Sequence, residues 1–146
     1  MKKRKTLIVI FILLVFVGIY TKREQNLGEL LDISKKDVWK CSIEEIYCAE
    51  KQWNDRITEV DQKEFDRILS MLDGINISLK AWEWNSELNA GEYCYDLRIF
   101  DGSRHWIRFM EDGEIHILNG GHWVFVANAE DTKECINILE ELLQEY

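Results

Sequence analysis

The chain has 146 residues, 47% of them hydrophobic, with 27 Asp and Glu against 18 Lys and Arg, a formal net charge of −9 at pH 7. A balance this acidic is repelled by phosphate backbones and argues against a nucleic-acid partner. There is no proline, no low-complexity tract and no internal repeat, so the composition fits one compact unit with a single core.

The charge is divided along the chain. Lys2, Lys3, Arg4 and Lys5 open it, and every acidic residue follows Tyr20. Between these lies the apolar run Thr6–Tyr20, TLIVIFILLVFVGIY. A basic start before an apolar run is a targeting arrangement. The uncharged stretch spans roughly 24 Å at a helical rise of about 1.5 Å per residue, short of a bilayer core of about 30 Å. Flanking Lys5, Lys22 and Arg23 can snorkel and extend it. Bulky residues occupy the positions where a signal peptidase needs small ones, and no Cys stands near the end of the run for lipidation. Residues 1–21 are therefore expected to form an uncleaved signal anchor, a single transmembrane helix. By the positive-inside rule the N-terminus stays cytoplasmic and the C-terminal part lies outside the cell membrane.

Residues 22–36 read as a juxtamembrane tether carrying a small apolar patch, Leu27, Leu30, Leu31 and Ile33. The domain proper, residues 37–146, begins with a strand over Val38–Tyr47, whose alternation slips at Glu44-Glu45 as a bulge would make it slip. A helix follows. Asp61 is placed to cap it with Glu64 as return partner, and Val60 and Phe65 can form a staple. Phe65, Ile68, Leu69 and Leu72 make one apolar face, and Gly74 stands where a left-handed cap is wanted. A meander comes next, with alternating apolar residues at Ile75–Ala81, Tyr93–Ile99, Ile107 and Phe109, Ile115 and Ile117, then Trp123 and Phe125. Keeping these on one face requires three-residue loops at Asp101-Gly102-Ser103, Glu111-Asp112-Gly113 and Asn119-Gly120-Gly121, the last two with a left-handed Gly at their third place. A last helix from about Asn128 to Glu145 buries Cys135, Ile138, Leu139 and Leu142. The expected fold is α+β, one antiparallel sheet of about six strands with two helices on one face, in the order β-α-β-β-β-β-β-α.

The same register collects a second set of residues on the even-numbered face. Trp82, Trp84, Arg98, Trp106, Arg108, His116 and His122 stand there with Cys94, Asp96, Phe100 and Arg104. Guanidinium forks match carboxylate or phosphate, and indole rings stack, so this face is the candidate surface for a small anionic or sugar-like ligand, or for a protein partner. The opposing reading is a cross-strand charge ladder, with Arg98 packed on Trp106 and the tether patch laid over the face.

Chemistry-bearing motifs are absent: no GxSxG, no HExxH, no phosphate loop and no GxGxxG. No catalytic residue, metal ligand or cofactor is assigned. Cys94 with His116 or His122 and Asp96 can be drawn as nucleophile, base and orienter, which keeps a thiol-dependent enzyme of unfamiliar type among the alternatives. The four cysteines, Cys41, Cys48, Cys94 and Cys135, permit two disulfides in an exported domain, or four buried thiols.

The run Tyr95-Asp96-Leu97-Arg98-Ile99-Phe100-Asp101-Gly102-Ser103, after a helix opened by Val60-Asp61-Gln62-Lys63-Glu64-Phe65 and before a terminal helix with Leu139, Leu142 and Leu143, resembles the YhfM-like domain of small exported proteins of Gram-positive bacteria over roughly residues 37–146. The resemblance implies location and fold, and no residue inherits a catalytic role from it. The expectation is a membrane-anchored, extracytoplasmic, non-enzymatic binding module at the cell envelope. The alternative is an immunity- or inhibitor-type protein that neutralises a toxin or enzyme by charge complementarity.

Overall fold

The computed structural model describes residues 2–21, 23–49, 52–83, 88–89 and 91–145. The chain is α+β, with α1 (Lys2–Thr21), β1 (Gln25–Asn26), α2 (Leu27–Leu31), β2 (Lys40–Ala49), β3 (Gln52–Glu59), α3 (Phe65–Asp73), β4 (Asn76–Glu83), β5 (Tyr93–Phe100), β6 (Arg104–Met110), β7 (Glu114–Ile117), β8 (His122–Ala127) and α4 (Ala129–Gln144). Eight strands form one sheet in the order β1-β4-β8-β7-β6-β5-β2-β3. Every neighbouring pair is antiparallel.

Two of these strands were not expected. β3 pairs with β2 from Ser42↔Glu59 to Ala49↔Gln52 and forms one edge. Its sequence, Gln52–Glu59, has no apolar alternation because an edge strand can be polar on both faces. The short β1 pairs with β4 at Gln25↔Ile77 and Asn26↔Asn76. The residues read as a tether thus belong to the fold. The side chain of Asn26 caps α2 by accepting from Glu29 N–H at 3.1 Å, and Leu27 N–H donates to the Ile75 carbonyl at 2.9 Å. Leu27 and Leu31 are buried in the main core, so this patch lies on the helix side of the sheet and does not cover the even face.

Among the described residues no helix is long and apolar enough to cross a membrane. α1 opens on Lys2, Lys3, Arg4 and Lys5, and its remainder carries no charge. That remainder is apolar all round, and its large side chains from Leu7 to Ile19 are 44–68% exposed.

The meander follows the expected register. Tyr95↔Phe109, Leu97↔Ile107, Phe109↔Ile115 and Ile115↔Phe125 face one another. The first two connecting loops have the expected three residues, and the third, residues 118–121, has four. The left-handed glycines of these loops are Gly102, Gly113 and Gly120, so in the third loop Gly120 takes the conformation expected of Gly121. The odd residues of these strands meet α3 and α4 in the main core, where Leu97, Ile107, Phe109, Ile115, Leu72 and Leu139 are fully buried. At about 25 cal/mol per Å² of apolar surface, this layer is the dominant source of stability.

Three local readings are revised. β2 pairs with β5 without interruption from Lys40↔Phe100 to Tyr47↔Tyr93, so no bulge lies at Glu44-Glu45. The apolar pattern changes parity there because Ile46 joins a second, small cluster with Cys94 and Met110 on the even face. The bulge is in β4, between Leu79 and Ala81. α3 begins after a 3-10 turn at Gln62–Glu64, and the Asp61 side chain makes no capping hydrogen bond. Gly74 ends the helix in right-handed geometry, its N–H reaching the carbonyls of Ser70 and Met71.

Candidate functional site

Antiparallel register lays the even face out as a grid. One row runs Glu44↔Asp96↔Arg108↔His116↔Val124↔Ala81 across β2, β5, β6, β7, β8 and β4. A neighbouring row holds Ser42↔Arg98↔Trp106 at one end and Glu83↔His122 at the other. Five of the seven expected site residues, Arg98, Trp106, Arg108, His116 and His122, therefore share this face. Trp82 does not. The bulge at Lys80 reverses the parity of β4, so Trp82 pairs with Trp123 on the opposite side and Glu83 takes the place beside His122. The Trp82 and Trp123 rings lie 6.3 Å apart and tilted. Trp84 lies outside the described residues.

Asp96 is the centre of the grid and has no solvent exposure. Arg108 grips it with both arms of its fork, Nε to Oδ1 at 2.7 Å and an Nη2 contact to Oδ2 at 3.0 Å. The Trp106 indole N–H donates to Oδ2 at 2.7 Å. Glu44, also buried, pairs with Arg98. Arg98 in turn lies over the Trp106 ring, 4.6 Å from its centroid, and its Nε is buried without a hydrogen-bond partner among the described residues. A buried carboxylate and guanidinium persist only when both are hydrogen-bonded, and the Asp96–Arg108 pair meets that condition. Arg108 is thus consumed by the fold and cannot serve a ligand.

The histidines form a second chain. His122 Nε2 lies 2.8 Å from His116 Nδ1, and His116 Nε2 lies 3.1 Å from Glu114 Oε2. Glu114 also pairs with Lys80, and His122 Nδ1 faces Glu83 Oε2 at 3.6 Å. In this chain His116 can donate to Glu114 while accepting from His122. Burial is the largest influence on His116 and holds its pKa below the usual histidine value, against the opposing pull of Glu114. The hydrogen bond and charge of Lys80 hold Glu114 below the usual carboxylate value.

The nucleophile–base–orienter arrangement is not built here. Asp96 is held by Arg108 and Trp106 and orients no histidine. Burial, with Asp96 adding, pushes the Cys94 thiol up to about 12, so it is protonated at neutral pH. The four cysteines that allowed two disulfides are free and buried. Cys41 and Cys135 lie in the main core, and Cys94 lies in the small cluster on the other face. Among the described residues no three His, Cys, Asp or Glu side chains gather as a metal site would require.

One corner of the face is aromatic and open to solvent. Phe100 and Arg104 are paired across β5 and β6. Arg104 is exposed, its cation 5.2 Å from the Trp106 centroid. Trp39, just before β2, rests its ring 5.4 Å from that of Phe100 and is 69% exposed. The strand expected from Val38 begins at Lys40, and Trp39 lies between it and the 3-10 turn at Lys35–Asp37. Glu44 and Glu83 also belong to the face. Only the true register of β2 and the position of the β4 bulge reveal them. A cleft of about 250 Å³ lies elsewhere, between α3 and α4, lined by Arg67, Met71, Ile75, Cys135 and Ile138 among others.

Set against family models, curated proteins and solved structures, the chain matches none of them.

Proposed function

We propose that the chain is a non-enzymatic binding module that acts at the cell envelope, held to the membrane by α1 and presenting the even face of its sheet on the outside. The observation that carries this is the division of that face. Its chemically capable groups, Asp96, Arg108 and Cys94, are buried and paired or protonated, whereas Trp39 and Arg104 are left toward solvent. Such a face is suited to recognition and not to turnover. The exposed apolar surface of α1 and its basic first turn support membrane association. The resemblance to the YhfM-like domain agrees with this reading.

The test is hydroxyl-radical footprinting of the full chain in native-host envelopes and in detergent, read by mass spectrometry. Protection of Trp39 and Trp106 in envelopes alone is expected. Equal oxidation in both sinks the reading. A second reading, an inhibitor that neutralises a basic partner, draws on the exposed Glu130, Glu134 and Glu141 of α4, and would protect α4 instead.

A further inference from the structure

We propose that the corner built by Trp39, Phe100, Arg104 and Trp106 is a binding site for an anionic sugar, a pyranose carrying a carboxylate or a phosphate. This rests on the binding-module reading and names its ligand class.

The first support is a contrast among the arginines of the sheet. Arg56, Arg98 and Arg108 each have a carboxylate partner. Arg104 has none among the described residues, and its recorded contact is the Trp106 ring. In so acidic a chain, an arginine on a sheet face without a carboxylate keeps its whole fork available. Trp106 cannot turn away, because its N–H is fixed on buried Asp96 at 2.7 Å. It carries both Arg98 and Arg104 on its ring, and of the two only Arg104 is without a carboxylate partner among the described residues.

The second support is Trp39. An indole 69% exposed on a folded domain is a large apolar surface left in water. The residue is not loose: its backbone N–H donates to the Phe100 carbonyl at 3.0 Å and its ring packs on Phe100. Phe100 and Arg104 are directly cross-strand, which sets neighbouring side chains about 5 Å apart. A flat ring platform thus stands one strand away from a free guanidinium. That spacing matches a sugar whose ring stacks on the indole while its anionic substituent meets the fork. A bare anion would leave the platform unused, and a neutral sugar would leave the fork unused.

The experiment uses the full chain in lipid nanodiscs, following the indole N–H signals of Trp39 and Trp106 by NMR. The probes are glucuronate, glucose 6-phosphate, glucose and inorganic phosphate. The two anionic sugars should shift both signals and bind about tenfold or more tightly than glucose or phosphate. Arg104→Gln and Trp39→Ala should each weaken them about tenfold, while Arg67→Gln, on α3, should change nothing. Phosphate binding as tightly as glucose 6-phosphate overturns the proposal, as does unchanged binding by Arg104→Gln or silence toward both anionic sugars. If Trp39 and Trp106 are still protected in envelopes, only the ligand class has failed. If that protection is also missing, the binding-module reading fails with it.

Discussion

The two faces of the sheet reach the same degree of burial by opposite means. Toward α3 and α4, Leu97, Ile107, Phe109 and Ile115 have no exposure, and what shields them is apolar packing. On the other side Asp96 has none either, and Arg108, His116 and His122 are at most 9% exposed, shielded largely by one another. Low exposure therefore says little about how a residue stabilises the fold. An apolar layer loses transfer energy and gains a cavity when it is cut. A paired polar layer contributes little net energy but penalises the loss of either partner heavily, because the other is left charged and dry.

The largest expected effects test this difference directly. Asp96→Ala strands Arg108 and the Trp106 N–H and should cost about 3–5 kcal/mol in urea unfolding. Phe109→Ala should cost a similar amount, about 3–5 kcal/mol, for a different reason. The second substitution tells them apart. Replacing both members of the pair, Asp96→Leu with Arg108→Met, should recover most of the loss. Adding Leu97→Ala to Phe109→Ala should deepen it. If the polar double variant is as damaged as Asp96→Ala alone, the pair is stabilising in its own right and the contrast between the faces is lost.

The histidine chain gives the next effect, through pH. His116 titrates below its ordinary value of 6.5 in the folded protein because burial disfavours its charged form. The unfolded chain then binds more protons than the folded one below that pH, so stability falls as pH drops through about 6.5 and below. Glu114, held below its ordinary 4.5 by Lys80, adds a second loss in the same direction at lower pH. The loss ought to be read as a falling midpoint of thermal unfolding between pH 7 and pH 4. His116→Gln should flatten the first part and leave the second. A midpoint that rises on acidification would overturn this sign and with it the role given to His116.

Periodicity made the apolar face legible, because Tyr95 to Phe125 alternate with one parity across four strands and the short loops preserve it. The polar face was legible only where it shared that register, hence Arg98, Trp106, Arg108, His116 and His122. Trp82 was misplaced by a single extra residue, Lys80, whose bulge has no signature in an otherwise alternating strand. β3 was missed because an edge strand needs no apolar stripe, and the apparent slip in β2 came from Ile46 serving the second cluster. That Arg104 would be free while Arg108 is saturated depends on cross-strand distances that no spacing rule contains.

The smallest effect is the one that ion-pair counting would rank highest. Arg67 of α3 pairs with Glu141 of α4, tying together the two helices that cover the apolar face. Its side chains are 38% and 60% exposed, so water and salt screen the attraction and two long side chains must be ordered to make it. Arg67→Ala should therefore cost about 0–1 kcal/mol, and less at high salt. Asp96–Arg108 is the same chemistry with nowhere for water to enter, and there the loss of one partner is several times larger. A urea titration of Arg67→Ala beside Asp96→Ala at two salt concentrations measures that ratio. Equal losses would mean that burial does not separate the two pairs, and would break the comparison between the faces at its root.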